Sequence, residues 1–184
     1  LLGGSLGLAL KRRKLAGRVE GYVRRDASIA ECERLGVVDR ATTDLLAAVQ
    51  NADLVVFCTP IAQMPALAEA CFPALKAGAL VTDVGSVKTA VCESVDDSRF
   101  VGGHPMAGSE LEGLDGADPD LFRGAVWVLT PTSKTSDAAF ATVAAIVNDM
   151  GAEVVGLDPR RHDELVAVVS HVPHLTAATL MGVA

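Results

Sequence analysis

The chain has 184 residues, half of them hydrophobic, a net charge of −7 and only 4% aromatic residues. That length holds one full domain plus part of another, at roughly 100–200 residues each. Scattered basic residues with few aromatics argue against a nucleic-acid surface, and no apolar run approaches the roughly 20 residues needed to span a bilayer; chemistry on a small molecule is the expectation, with neither nucleic acid nor membrane as partner.

From the start of the chain, "LLGGSLGLALKRRKLAG" reads as a turn opening a helix that Gly17 stops, and "RVEGYV" as a short strand. A helix is expected from Asp26 to Leu35 and another over "ATTDLLAAVQNA". "DLVVFCTP" is a continuous apolar strand ended by Pro60, and its lack of alternation suits a strand covered on both faces. A helix to Lys76, the strand "ALVTDV", a helix from Ser86 and the strands "RFVGG" and "AVWVLTPT" follow. An alanine-rich helix from Asp137 to Met150 and the strand "AEVVGL" close the series. Strands alternating with helices imply a doubly wound, mostly parallel α/β sheet of the Rossmann type over residues 1–157. From Asp158 the pattern changes. Asp158 and Pro159 form an N-cap and first-turn pair. Leu165, Val168, Val169, Val172, Leu175 and Thr179 then recur at helical spacing with no further strand. Residues 158–184 are therefore expected to begin a separate all-helical domain. Since the chain opens at Leu1 inside an apolar–glycine run, the first residues of the natural protein are expected to precede it. Cys32, Cys58, Cys71 and Cys92 show no C-x-x-C pairing and read as buried free thiols in a reducing cytoplasm, not disulfides or zinc ligands.

Open α/β sheets bind ligands at the carboxyl ends of their strands, and a dinucleotide fold carries G-x-G-x-x-G in its first turn. Only the tail of that motif is present. Gly3 stands as its third glycine, with Gly4 and Ser5 in the first helical turn near a pyrophosphate. After the next strand, where an acid would take the ribose hydroxyl of NAD, "GYVRRD" has Val23 followed by Arg24 and Arg25. Two guanidiniums suit a 2′-phosphate and favour NADP, while Asp26 keeps NAD open. "CTPI" adds Thr59 and Pro60 as cofactor contacts.

"TDVGSVKTA" and "GGHPMAGSE" also follow strands. Gly85 permits a tight turn, and Ser86 either caps the helix carrying Lys88 or partners a histidine. His104 follows two glycines at a strand end and is fixed by Pro105, a loop position that offers an imidazole to a ligand. His171 and His174 in "SHVPH" lie about one helical turn apart and face one region. Pro173 between them should kink the helix and free a carbonyl. A metal reading of this H-x-x-H lacks a third and fourth ligand, so no metal is expected.

Taken in order, "CTPI", "VTDVGSVK", "GGHPMAGSE", "LTPT" and "HD...VAVVSHVPH" resemble the prephenate/arogenate dehydrogenase family of tyrosine biosynthesis over nearly the whole chain. The resemblance implies a nicotinamide-binding domain followed by a helical dimerisation domain, a homodimer, and an active site in the cleft between domains. By motif it implies a catalytic role for His104 and a hydrogen bond to it from Ser86. It also implies Glu110 at the substrate mouth, His171 and His174 in the substrate pocket, and a substrate-carboxylate arginine beyond Ala184. The implied activity is NAD(P)-dependent oxidative decarboxylation of prephenate, with arogenate as the alternative substrate. Two other readings stay open. A β-hydroxyacid-type dehydrogenase would need a downstream lysine, and a non-catalytic nucleotide-sensing module would have no use for His104 opposite Ser86.

Overall fold

Neighbouring residues of the central strands point to opposite sides, and each side meets its own layer of helices. The computed structural model describes residues 1–111 and 113–183, and the side chains of all of these except 171, 174 and 183. Strands β3 (Leu54–Phe57), β4 (Leu80–Asp83), β5 (Phe100–Pro105), β6 (Val126–Thr130) and β7 (Glu153–Gly156) form one sheet in that order. Leu54, Val56, Leu80 and Val101 face a cluster containing Leu6 and Ala9 of α1 (Leu2–Arg12) and Val143 and Val147 of α6 (Asp137–Asp149). Val55, Phe57, Val81 and Phe100 face the other, with Met64 and Ala68 of α4 (Met64–Cys71) and Val91 of α5 (Thr89–Ser94). This is the doubly wound architecture that alternating strands and helices imply. The pairings are parallel except for β5 with β6. A separate parallel pair, β1 (Glu20–Tyr22) and β2 (Arg40–Thr42), is linked by α2 (Ala27–Arg34).

Several local expectations need correction. "ATTDLLAAVQNA" does not start as a helix: its first residues complete β2, and α3 is only Leu45–Val49. The carboxylate of Asp44 decides this boundary by accepting the Leu46 and Ala47 N–H groups. The helix expected from Ser86 begins at Thr89, and Cys58 is exposed while the other three free thiols are buried. His104 and Pro105 belong to β5 itself, not to a loop. Pro105 is tolerated there because β4 pairs with β5 only through Phe100 and Val101, while Met106 N–H donates to Val126 on the β6 side. The Pro105 nitrogen alternates away from β6, so its missing N–H removes no ladder bond.

Asp158 caps α7 (Pro159–Val166) as expected, accepting the Arg160 and Arg161 N–H groups. A π-helical stretch, Ala167–His171, leads into α8 (Val172–Val183), and Val172 N–H reaches Ala167 O. Pro173 accounts for it, since a ring without N–H cannot continue the i→i−4 ladder. Together these segments make a helix from Pro159 to Gly182 with a mean hydropathy of 1.4 over its apolar stretch, long and apolar enough to cross a membrane. The expectation that no segment has that length is corrected accordingly. Its opening turns are nonetheless packed on protein, with Pro159, His162 and Val166 buried, whereas Val168, Val169, Val172, Leu175 and Met181 are exposed.

Gly7 lets α1 lie directly on the chain after α2: a Cβ there would meet the Val37 carbonyl oxygen at 1.9 Å. Replacing a helical glycine by alanine ordinarily stabilises by about 1 kcal/mol. Here Gly7→Ala should instead destabilise by about 1–3 kcal/mol through overpacking. Urea unfolding would check the sign.

Candidate active site

Strands β3, β4 and β5 run parallel, so the segments that follow them gather at one edge of the sheet. Two charged side chains without solvent exposure, Asp83 at the end of β4 and Lys88 before α5, organise that edge. Lys88 Nζ donates to Asp83 Oδ2 and, at 2.8 Å, to the Gly103 carbonyl. Asp83 Oδ1 accepts Gly103 N–H at 2.9 Å, and Oδ2 accepts Gly85 N–H at 2.8 Å. Burial pushes the Asp83 carboxyl up, opposed by the charge and hydrogen bond of Lys88 and by the two backbone donors. The two strands approach so closely that a Cβ at Gly103 would lie 2.6 Å from the Asp83 carbonyl oxygen. Only glycine fits that contact.

His104 is thereby delivered, partly exposed, next to this clamp. Its Nδ1 lies 2.8 Å from Nε2 of His162, with ring centroids 5.1 Å apart and an interplanar angle of 72°. His162 is fully buried on α7, and its Nδ1 lies 2.8 Å from Asp163 Oδ1. The Asp163 carboxylate accepts Lys88 N–H at 2.8 Å and Thr89 N–H at 2.9 Å, so it caps α5 from across the fold. Burial pushes the Asp163 carboxyl upward, but hydrogen bonds from Thr89, Lys88 and His162 outweigh it and hold the pKa at about 2.

Ser86 lies exposed on the loop after Asp83. The described hydrogen-bond partner of the His104 ring is His162, not Ser86, and the acceptor capping α5 is Asp163, not Ser86. Glu110 is exposed on the segment after β5. His171 falls in the π-helical stretch and His174 in α8, and their side chains lie outside the described ones. On the cofactor side, Gly3 packs against Cys58 at the end of β3, and Gly4 against Leu114 and Ala117. Ser5 is fully buried and its hydroxyl accepts Asp118 N–H, so it braces the 113–120 segment. Arg24 and Arg25 are exposed after β1 and form no ion pair with a described residue. Thr59, followed by Pro60, has a buried hydroxyl with no hydrogen-bond partner among the described residues.

Sequence reasoning missed Asp83, Lys88, His162 and Asp163 as parts of this site. "HD" entered only as part of a family motif, yet the buried Pro159, His162 and Val166 recur at spacings of three and four, the mark of an inward face. Asp83 and Lys88 are the only charged residues between Lys76 and Glu93, a pattern that suits a paired buried charge.

A doubly wound sheet with its polar loops at the carboxyl edge, continued by a helix that contributes to that edge, defines a Rossmann-type nucleotide-binding domain. Residues 6–156 match the family model described as prephenate dehydrogenase, nucleotide-binding domain, and the chain belongs to the prephenate dehydrogenase family. It is 35% identical to prephenate dehydrogenase of Bacillus subtilis over 98% of this chain and 50% of that protein. A crystal structure of the Aquifex aeolicus prephenate dehydrogenase in complex with hydroxyphenyl propionate and NAD+ is 34% identical. It superposes with a TM-score of 0.92 over 99% of this chain and 65% of that one. Synechocystis arogenate dehydrogenase is 36% identical with a TM-score of 0.89, covering 100% and 66%. The chain spans about half the length of the curated relatives it matches.

The folded pKa of Asp163, about 2, lies below its ordinary 3.8. Its ionised form therefore stabilises the fold fully above the ordinary value, and that contribution is lost as pH falls toward the folded one. The shift is worth about 2 kcal/mol. Between about pH 5 and about pH 2.5, Asp163→Asn should lose about 1–2 kcal/mol less stability than the parent in urea unfolding. Equal losses would contradict the coupling.

Proposed function

We propose that the full-length protein catalyses the NAD(P)-dependent oxidative decarboxylation of prephenate to 4-hydroxyphenylpyruvate. The observation that carries this reading is the partly exposed imidazole of His104 at the carboxyl edge of the sheet, in a chain of this family. The residues present fit a dinucleotide. The buried Thr59 hydroxyl beside Pro60 has no partner among the described residues, and Gly3 in the first turn of α1 packs on the adjacent Cys58. The two exposed guanidiniums of Arg24 and Arg25 suit a 2′-phosphate, which favours NADP over NAD; the Aquifex aeolicus enzyme is seen with NAD+.

A bound nicotinamide would supply the hydride acceptor for the ring carbon that bears the hydroxyl. Neutral His104 takes the proton of that hydroxyl, and Ser86 shares the same oxygen. Loss of the ring carboxylate as carbon dioxide then leaves an aromatic product, which makes the reaction effectively one-way. Glu110, His171 and His174 border the substrate side chain, where a second imidazole offers a donor to the keto-acid carboxylate of prephenate. A positioned base supplies about 10²–10⁴ in rate, and holding the ring carbon against the cofactor supplies much of the rest. Arogenate is the second reading, favoured by the 36% identity to the Synechocystis enzyme. The exposed apolar residues from Val168 to Met181 are covered, in this proposal, by the remainder of a helical domain and a second copy in a cytoplasmic homodimer.

In the full-length protein, His104→Asn should lower kcat by about 10²–10⁴ while cofactor affinity holds; unchanged turnover would remove His104 from the mechanism. Replacing both Arg24 and Arg25 by serine should lower the NADP-to-NAD ratio of kcat/KM by about tenfold or more. An unchanged ratio would reject the 2′-phosphate assignment.

A further inference from the structure

We propose that His162 and Asp163 are positioning residues that fix the tautomer of His104, placing its proton on Nδ1 and its lone pair on Nε2. The inference rests on the reading of His104 as the base and adds to it which nitrogen accepts the proton and what ensures that it does.

The assignment follows from the acceptor at the far end. Asp163 is an ionised carboxylate holding the N–H groups of Lys88 and Thr89, so toward His162 it offers only lone pairs. His162 Nδ1, 2.8 Å away, must carry a hydrogen. In a neutral imidazole a hydrogen on one nitrogen leaves the other as acceptor, so His162 Nε2 accepts. Across the next 2.8 Å the donor is then His104 Nδ1–H, and Nε2 of His104 holds the lone pair. Each proton position dictates the next, and the direction of the chain is set by one carboxylate that never touches His104.

The opposite direction would be unproductive. A hydrogen on His162 Nε2 would require His104 Nδ1 to accept, which puts the hydrogen on Nε2 of His104 and makes it a donor. In the proposed direction, the proton leaving the substrate hydroxyl forms the Nε2–H bond of His104, and Nδ1–H stays where it was. The imidazolium so formed keeps its hydrogen bond to His162, whose other nitrogen faces the Asp163 charge. A carboxylate behind an imidazole is a known way to hold a catalytic tautomer; here a second imidazole is interposed. Complete burial of His162 keeps water from supplying a competing donor or acceptor.

The test uses the full-length protein with histidine labelled by the heavy nitrogen isotope, its ring signals assigned by single-histidine substitution. NMR should find Nδ1 protonated and Nε2 bare on both His104 and His162. Asp163→Asn, whose carboxamide can present a donor to His162, should reverse both tautomers and lower kcat by about 10²-fold or more, with KM for substrate and cofactor little changed. His162→Gln can donate toward Asp163 and accept from His104, so it should retain the His104 tautomer and most of kcat. His162→Leu should lose both. A wild-type His104 protonated at Nε2, or His162→Leu turning over like the parent, would overturn the proposal. The ring signals are read without turnover. A protein inactive on prephenate and arogenate with the expected tautomers would therefore sink the proposed reaction and leave the tautomer assignment standing.

Discussion

Everything at the carboxyl edge of this sheet hangs on one ion pair shut away from water. Asp83 and Lys88 lie in consecutive elements, yet their hydrogen bonds reach the backbone of a third, taking both the N–H and the C=O of Gly103. A buried pair of this kind contributes little net stability, because desolvation offsets most of the attraction. Its effect is geometric. Breaking it would leave a charge stranded in the core, at a cost of about 3–5 kcal/mol, so the β4 loop and β5 have one low-energy arrangement. His104 follows directly after the clamped residue and inherits that rigidity.

The clamp and the histidine pair meet through Lys88 by different atoms. Its ammonium fixes β5, and its backbone N–H is held by Asp163 from α7. One short loop thus registers the sheet against the helix that follows the nucleotide-binding fold. Among the described residues beyond Val166, Val168, Val169, Val172, Leu175, Leu180 and Met181 are apolar and exposed. The helix is tied down at its start, and the described apolar side chains beyond are exposed.

Most of the layer plan was legible because it rests on periodicity: a parallel sheet with helices on both faces needs strands that are apolar on both sides, and those runs are plain in the chain. His104 was singled out as well, but as a loop residue, whereas it lies in β5 with its ring against His162. What escaped was set by contacts distant in sequence. Ser86 looked like a helix cap, but the acceptor of the Lys88 N–H is Asp163, 75 positions beyond that lysine. The hydrogen bond from the Asp118 backbone to the Ser5 hydroxyl likewise links residues far apart in the chain. His162 carried a helical-face signal that its charged neighbours masked. β2 was lost because three residues of strand pairing outweigh the helix propensity of the alanines that follow.

The π-helical stretch at Ala167–His171 has a consequence for how this chain can vary. An α-helix turns about 100° per residue, so one inserted residue swings everything after it around the axis by that amount. The turns carrying Pro159, His162 and Val166 face inward, while the described apolar side chains from Val172 onward are exposed. Substitutions that re-aim the distal half need not disturb the imidazole pair, and a single continuous rod can serve two masters with different angular demands.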